Sequence, residues 1–254
     1  MRVKVIILFS CLWLLMSAGV FAQQSRFDEA NTLLEQSQYH DAIELYKAIA
    51  EDGYHSGALW LNMGVAYSHL DSLGVAKFYL LKAEKYKETK ALASEGLEFV
   101  NDRFSRRSAV LPPLPWDRFF QNLADRYSLW MITLTAILIL YFGVALIIGS
   151  WFRKDFRRLL AKTGYAVIGL SAILFLFALI INYQQNRYGT GVMVERQISV
   201  FQQPNEQSSV VSIAYEGYTM RVDFTESEGV EDWKYVRLEN GMYGWIRENS
   251  LMIY

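Results

Sequence analysis

Hydrophobic and polar positions follow three different rhythms along this chain. From 23 to 104, apolar residues recur at helical spacing with charged residues between them, and proline is absent. That pattern predicts amphipathic helices. Next come two runs without any charged residue, Leu129 to Phe152 and Gly164 to Tyr183. Each is long enough to cross a hydrocarbon core of about 30 Å as a helix. After 189 the runs shorten and are broken by turn-forming groups, which predicts strands. The expected protein is therefore a multidomain membrane protein. It has an all-α helical region, a two-helix transmembrane hairpin and a small all-β barrel.

Within the helical region, residues 34 positions apart match in kind: Ala30 with Gly64, Ala42 with Ala76, Tyr46 with Leu80, and Ile49 with Ala83. The second unit is the clearer one. Trp60, Met63, Gly64 and Tyr67 lie on its first helix, and Ala76, Leu80 and Ala83 on its second. Small residues at Gly64 and Ala76 let the two helices approach, and Tyr67 and Leu80 fill the space around that contact. A repeat of this length built from paired helices resembles the tetratricopeptide repeat family over roughly 27–88. The resemblance implies a concave face that binds proteins, carrying Leu61, Val65, Ser68 and His69 in the second unit. Val65 stands where some family members carry an asparagine that clamps a peptide carboxylate. The implied ligand is thus an apolar or mixed protein segment. Residues 89–104 form one more amphipathic helix, and Leu92, Leu97 and Val100 are expected to cover the open end of the array as a cap.

Residues 105–128 join this region to the first apolar run. Pro112, Pro113 and Pro115 favour a stiff, extended linker. Trp116, Phe119, Phe120, Leu123 and Tyr127 follow at roughly helical spacing, as expected of a helix at a membrane interface. Spans are expected at 129–152 and 164–183. The loop 153–163 between them carries Arg153, Lys154, Arg157, Arg158 and Lys162 against Asp155 alone. Short loops rich in Lys and Arg stay in the cytoplasm. The N-terminus reads as a signal peptide over 1–22. Arg2 and Lys4 precede an apolar stretch from Val5 to Met16, and Val20-Phe21-Ala22 stands at the cleavage position. The basic loop and the signal agree on one topology. Both flanking segments lie on the periplasmic side of a bacterial inner membrane, with the basic loop cytoplasmic.

The last segment, 189–254, is expected to hold strands at Val192 to Val200, Val210 to Ala214, Thr219 to Phe224, Lys234 to Leu238 and Tyr243 to Ile246. The Asn240-Gly241 turn between the last two is a strong hairpin signal. Val200 to Pro204, Val210 through Gly217, WKYVRL at 233–238 and GWIRENSL at 244–251 resemble the bacterial SH3-like domain. Tyr215, Tyr218, Trp233 and Tyr235 are the aromatic residues expected to contact a ligand, and Trp245 is expected in the core. Acidic side chains outnumber basic ones in this segment, which favours a basic or neutral partner over an anionic polymer.

Composition narrows the function further. A formal net charge of -1 gives no reason to expect nucleic acid as a partner. Three histidines and a single cysteine, Cys11, which would leave with the signal, make a metal site or a cysteine nucleophile unexpected. No phosphate loop, zinc-protease helix or serine elbow occurs, so neither an enzyme nor a cofactor is expected. Neither span carries a charge that would mark an ion or proton path. The whole order of segments resembles the E-component family of Bacteroides aerotolerance (Bat) operons. That resemblance implies scaffolding in an envelope stress complex, beside membrane proteins bearing von Willebrand A domains. The alternative reading is a module that binds or senses peptidoglycan.

Overall fold

The computed structural model describes residues 23–106, 111 and 128–254. The expected signal peptide at 1–22 and most of the linker and interfacial helix expected at 105–128 lie outside the described residues. The chain divides into two compact units. Among described residues, the first holds 23–106, 190–222 and 229–254, and the second holds 128–189 and 223–228.

In the first unit, α1 is helical over 23–35, followed by α2 (Tyr39–Glu51), α3 (Gly57–His69), α4 (Leu73–Glu84) and α5 (Lys90–Arg103). Ala30, Ala42, Tyr46, Leu59, Trp60, Met63 and Ala83 form the core between them. A Cβ on Gly64 would stand 2.7 Å from Leu80 Cγ and 3.3 Å from the Ala76 carbonyl oxygen, so α3 and α4 touch where the small residues are. One polar group is held inside the array. Asn31 Oδ1 accepts from the Tyr46 hydroxyl at 2.7 Å and from Asn62 Nδ2 at 2.8 Å, tying α1, α2 and α3 together. Buried polar groups need such partners. On α5 the inward residues are Ala93, Leu97 and Val100, whereas Leu92 is 57% exposed. The expectation that Leu92 belongs to the cap is therefore corrected. The α-helical period turns position 92 away from the side set by 93, 97 and 100.

The C-terminal part is a seven-stranded antiparallel sheet: β1 (Tyr188–Met193), β2 (Gln197–Phe201), β3 (Val210–Tyr215), β4 (Thr219–Asp223), β5 (Trp233–Leu238), β6 (Tyr243–Arg247) and β7 (Leu251–Ile253). The strand order is β3-β2-β6-β5-β4-β1-β7. Its core holds Met193, Val200, Ala214, Met220, Val222, Val236, Leu238 and Ile246. Two expectations change here. The single strand expected from Val192 to Val200 is two strands, because the backbone leaves the ladder at 194–196 and Val194 N–H bonds to Ser250 O instead. The short β7, which pairs with β1, was not anticipated.

The second unit contains α6 (Leu129–Phe152) and α7 (Arg157–Arg187), joined by a short 3-10 turn, Lys154–Phe156. Both helices are long and apolar enough to cross a membrane. Most of their large apolar side chains, Trp130, Leu138, Phe142, Phe152 and Leu176 among them, point outward. The second helix starts earlier and ends later than the uncharged run 164–183 suggested. Arg157, Arg158 and Lys162 lie on it, since Arg and Lys are good helix formers and need not leave the helix to reach water. The two helices meet along small residues spaced by seven, Ala136, Gly143 and Ser150 on α6 and Gly164, Ser171 and Ala178 on α7. Ser171 Oγ donates to the Ala136 carbonyl at 2.7 Å. At the end of α7, Arg187 makes a bidentate pair with Asp223, with Nη2 to Oδ2 at 2.8 Å and Nε to Oδ2 at 3.0 Å.

Candidate functional site

Two surfaces of the first unit carry the candidate binding residues, and a junction within that unit shapes both. The junction begins at the start of α4. Helix N-termini leave backbone N–H groups without partners. For α3 the local residue Ser56 supplies the cap, accepting from Leu59 N–H at 3.1 Å. For α4 the local candidate, Ser72, makes no side-chain cap. Instead Glu216, from the turn between β3 and β4, accepts from Gly74 N–H at 2.7 Å. A carboxylate is the favoured partner there because it also meets the positive end of the helix dipole.

Lys77, one turn further along α4, donates to the Gly217 carbonyl at 2.6 Å. Burial lowers the Lys77 ammonium below its usual range, opposed by the charge of Glu239. Glycine is required at two points of this contact. Gly217 has φ +80, and any Cβ on it would enter the Phe104 ring. A Cβ on Gly74 would stand 2.5 Å from Met193 O. Around these polar bonds lie apolar contacts. Val192 belongs to the array's core, and Met252 and Tyr254 pack against it. The Tyr254 ring meets Phe78 edge-on at 5.7 Å, with Lys85 Nζ 4.1 Å from its centroid.

Burial pushes the hydroxyls of Tyr46, Tyr79 and Tyr254 from 10.0 up to about 12. The protonated phenol is the form the fold favours. This contribution is whole below pH 10.0 and disappears as pH rises toward about 12. Tyrosinate absorbance should therefore lag for these residues and rise together with loss of the helical circular dichroism signal. Full ionisation near the ordinary tyrosine value with the helical signal intact would contradict this burial.

The first surface is on the array. A cleft of about 300 Å³ is lined by His40, Ile43, Glu44, Lys47, Tyr67, Leu70 and Ser72. Leu61, Val65, Ser68 and His69 do not line it. Leu61 packs against the core, and Ser68 Oγ donates to Val65 O at 2.7 Å. The His69 ring lies 4.5 Å from that of Tyr39, nearly parallel at 3°. The cleft instead uses the polar stripe His40, Glu44 and Lys47, set at helical spacing on α2. That spacing was visible in the sequence, although attention to the second repeat passed over it.

The second surface is the outer face of the sheet. Cα partners in register are Phe201 with Trp245, Tyr235 with Trp245, Trp233 with Arg247, and Arg237 with Tyr243. Directly opposed residues share a face, and neighbours along a strand alternate. Val200, Val236 and Ile246 point into the core, so Phe201, Trp233, Tyr235, Tyr243 and Trp245 all lie on the other side. Trp245 is thus corrected from core to half-buried outer residue. Its neighbour Ile246, fully buried, takes the inward position. Tyr215 and Tyr218 stand apart from this row. Arg106 donates to the Tyr215 hydroxyl at 2.9 Å with its guanidinium 4.5 Å from the ring, and Tyr218 meets Tyr215 edge-on at 5.6 Å. Of the four aromatics proposed for ligand contact, Trp233 and Tyr235 come together on the outer face. Tyr215 and Tyr218 belong to the side that meets the helical array.

No family model, curated protein or solved structure matches the chain.

Proposed function

We propose that the protein is a non-enzymatic membrane scaffold whose folded parts share one side of the bilayer and hold partner proteins there. The observation that carries this reading is the junction. Glu216 caps α4, and Lys77 bonds to Gly217, although two apolar helices lie between these residues in the chain. Parts that pack together occupy one compartment, and a hairpin of two spans returns the chain to the side it left. The basic stretch from Arg153 to Lys162 supports a cytoplasmic turn, hence a periplasmic position for the packed parts in a bacterial inner membrane. The helical hairpins support a tetratricopeptide-type array, and the small sheet an SH3-like domain. The segment order supports membership of a Bat-type aerotolerance or envelope stress complex, with von Willebrand A-domain membrane proteins as partners.

Affinity purification of the full chain from crosslinked membranes, read by mass spectrometry, tests the scaffold reading. Membrane proteins with von Willebrand A domains should be enriched, and enrichment should fall when His40, Glu44 and Lys47 are replaced by alanine. Repeated recovery of no partner would overturn the reading.

The aromatic outer face of the sheet favours a second reading, a module that binds or senses peptidoglycan. Pelleting of the detergent-solubilised full chain with purified sacculi separates the two. Clear co-sedimentation supports the wall reading, and its absence beside partner recovery supports the scaffold.

A further inference from the structure

The outer face of the sheet has a dimension that selects among ligand shapes. Phe201, Trp245 and Tyr235 form one row across β2, β6 and β5. Adjacent strands lie about 4.8 Å apart, so Phe201 and Tyr235 stand on backbones about 9.6 Å apart. A polyproline II segment advances about 3.1 Å per residue with three residues per turn, or about 9.3 Å per turn. An extended β-type ligand repeats its side chains at about 6.8 Å and does not match. The rings are inclined to one another rather than coplanar: Tyr235 to Trp245 at 58° and Phe201 to Trp233 at 84°. Inclined rings leave notches that admit a pyrrolidine ring, where a flat sugar would need one open plane.

Charge at the row's end adds a second criterion. The Arg237 guanidinium lies 5.3 Å from the Tyr243 ring centroid on an exposed part of β5. Arg247, over Trp233 at 4.6 Å, is already paired with Glu206 at 2.8 Å. Arg237 is therefore the cation placed to meet an acidic group on a ligand.

We propose that this face binds a proline-rich extended segment of a partner protein, with prolines one polyproline turn apart over Phe201 and Tyr235 and an acidic residue beside Arg237. The proposal rests on the scaffold reading for its setting and names one ligand class within it. The sequence from Ala109 to Arg118, AVLPPLPWDR, has this chemistry and supplies the probe.

The test is fluorescence anisotropy of that labelled peptide against the full chain in detergent micelles. Saturable binding is expected, weakened at least about tenfold when the three prolines become alanine. Tyr243→Ala and Arg237→Glu, both at exposed positions, should each weaken it several-fold while leaving circular dichroism and thermal unfolding unchanged. The inference is overturned if the alanine peptide binds as well as the proline peptide. It is equally overturned if both variants bind like the parent, or if nothing saturates by about 1 mM peptide. Binding of a soluble peptidoglycan fragment that Tyr243→Ala abolishes, with no peptide binding, assigns the face to sugar and also overturns it. A failed peptide assay beside intact partner recovery removes this inference and leaves the scaffold reading standing.

Discussion

Gly217→Val releases the β-sheet part of the first unit from the helical array. The left-handed backbone at this position, φ +80, costs a β-branched side chain roughly 1–3 kcal/mol. The Cβ also enters the Phe104 ring, and overpacking of this kind costs roughly 1–3 kcal/mol more. The turn carrying Glu216 then moves, so α4 loses the acceptor for Gly74 N–H, and Lys77 loses Gly217 O. Helix and sheet each keep most of their own core, so the loss falls on the contact between them. Hydrogen exchange of the full chain in detergent should show faster exchange in the first turn of α4 and in β1, β3 and β7. The thermal transition should drop and broaden. An unchanged melting profile with unchanged exchange at Gly74 would show that the two parts do not depend on this contact.

Gly164→Leu separates α6 from α7. A Cβ at this position would stand 2.6 Å from Ile147 Cγ1 and 3.0 Å from the Gly143 carbonyl oxygen. The second neighbour is backbone and cannot rotate away, so the helices must move apart. Without a hydrophobic force between helices in lipid, close packing and the Ser171 to Ala136 hydrogen bond supply most of the attraction, and both weaken with distance. The measure is disulfide formation between cysteines introduced as Ala136→Cys and Ser171→Cys, with Cys11→Ser removing the chain's native cysteine. Crosslinking should be near complete in the parent and fall several-fold with Gly164→Leu. Gly169→Leu, at a position where a Cβ meets nothing within 4 Å, should leave it unchanged. Equal yields in all three proteins would refute the close approach at Gly143 and Gly164.

Much of the second unit was legible before any coordinates. Charge-free length is a property of composition, and it survives errors of a few residues at either end. The heptad of small residues was equally present in the letters, yet it acquires meaning only when two stripes face one another. In the first unit the spacing of Gly64, Ala76 and Leu80 anticipated a contact between neighbouring helices, because such contacts are local. The outer aromatic face was half legible. Alternation paired Trp233 with Tyr235 and Tyr243 with Trp245, but not which side of the sheet was buried. One residue of register exchanges Trp245 for Ile246, and only packing decides between them.

The order of amino acids already settled what depends on near neighbours: helical periods, apolar lengths, turn chemistry and the clustering of basic charge between two spans. Folding in three dimensions decided which distant groups satisfy one another. Ser72 looked like the cap of α4, but a carboxylate from the β3–β4 turn took that place. A hydrogen bond constrains the separation of atoms in space, and the number of residues between them leaves no mark in either local sequence.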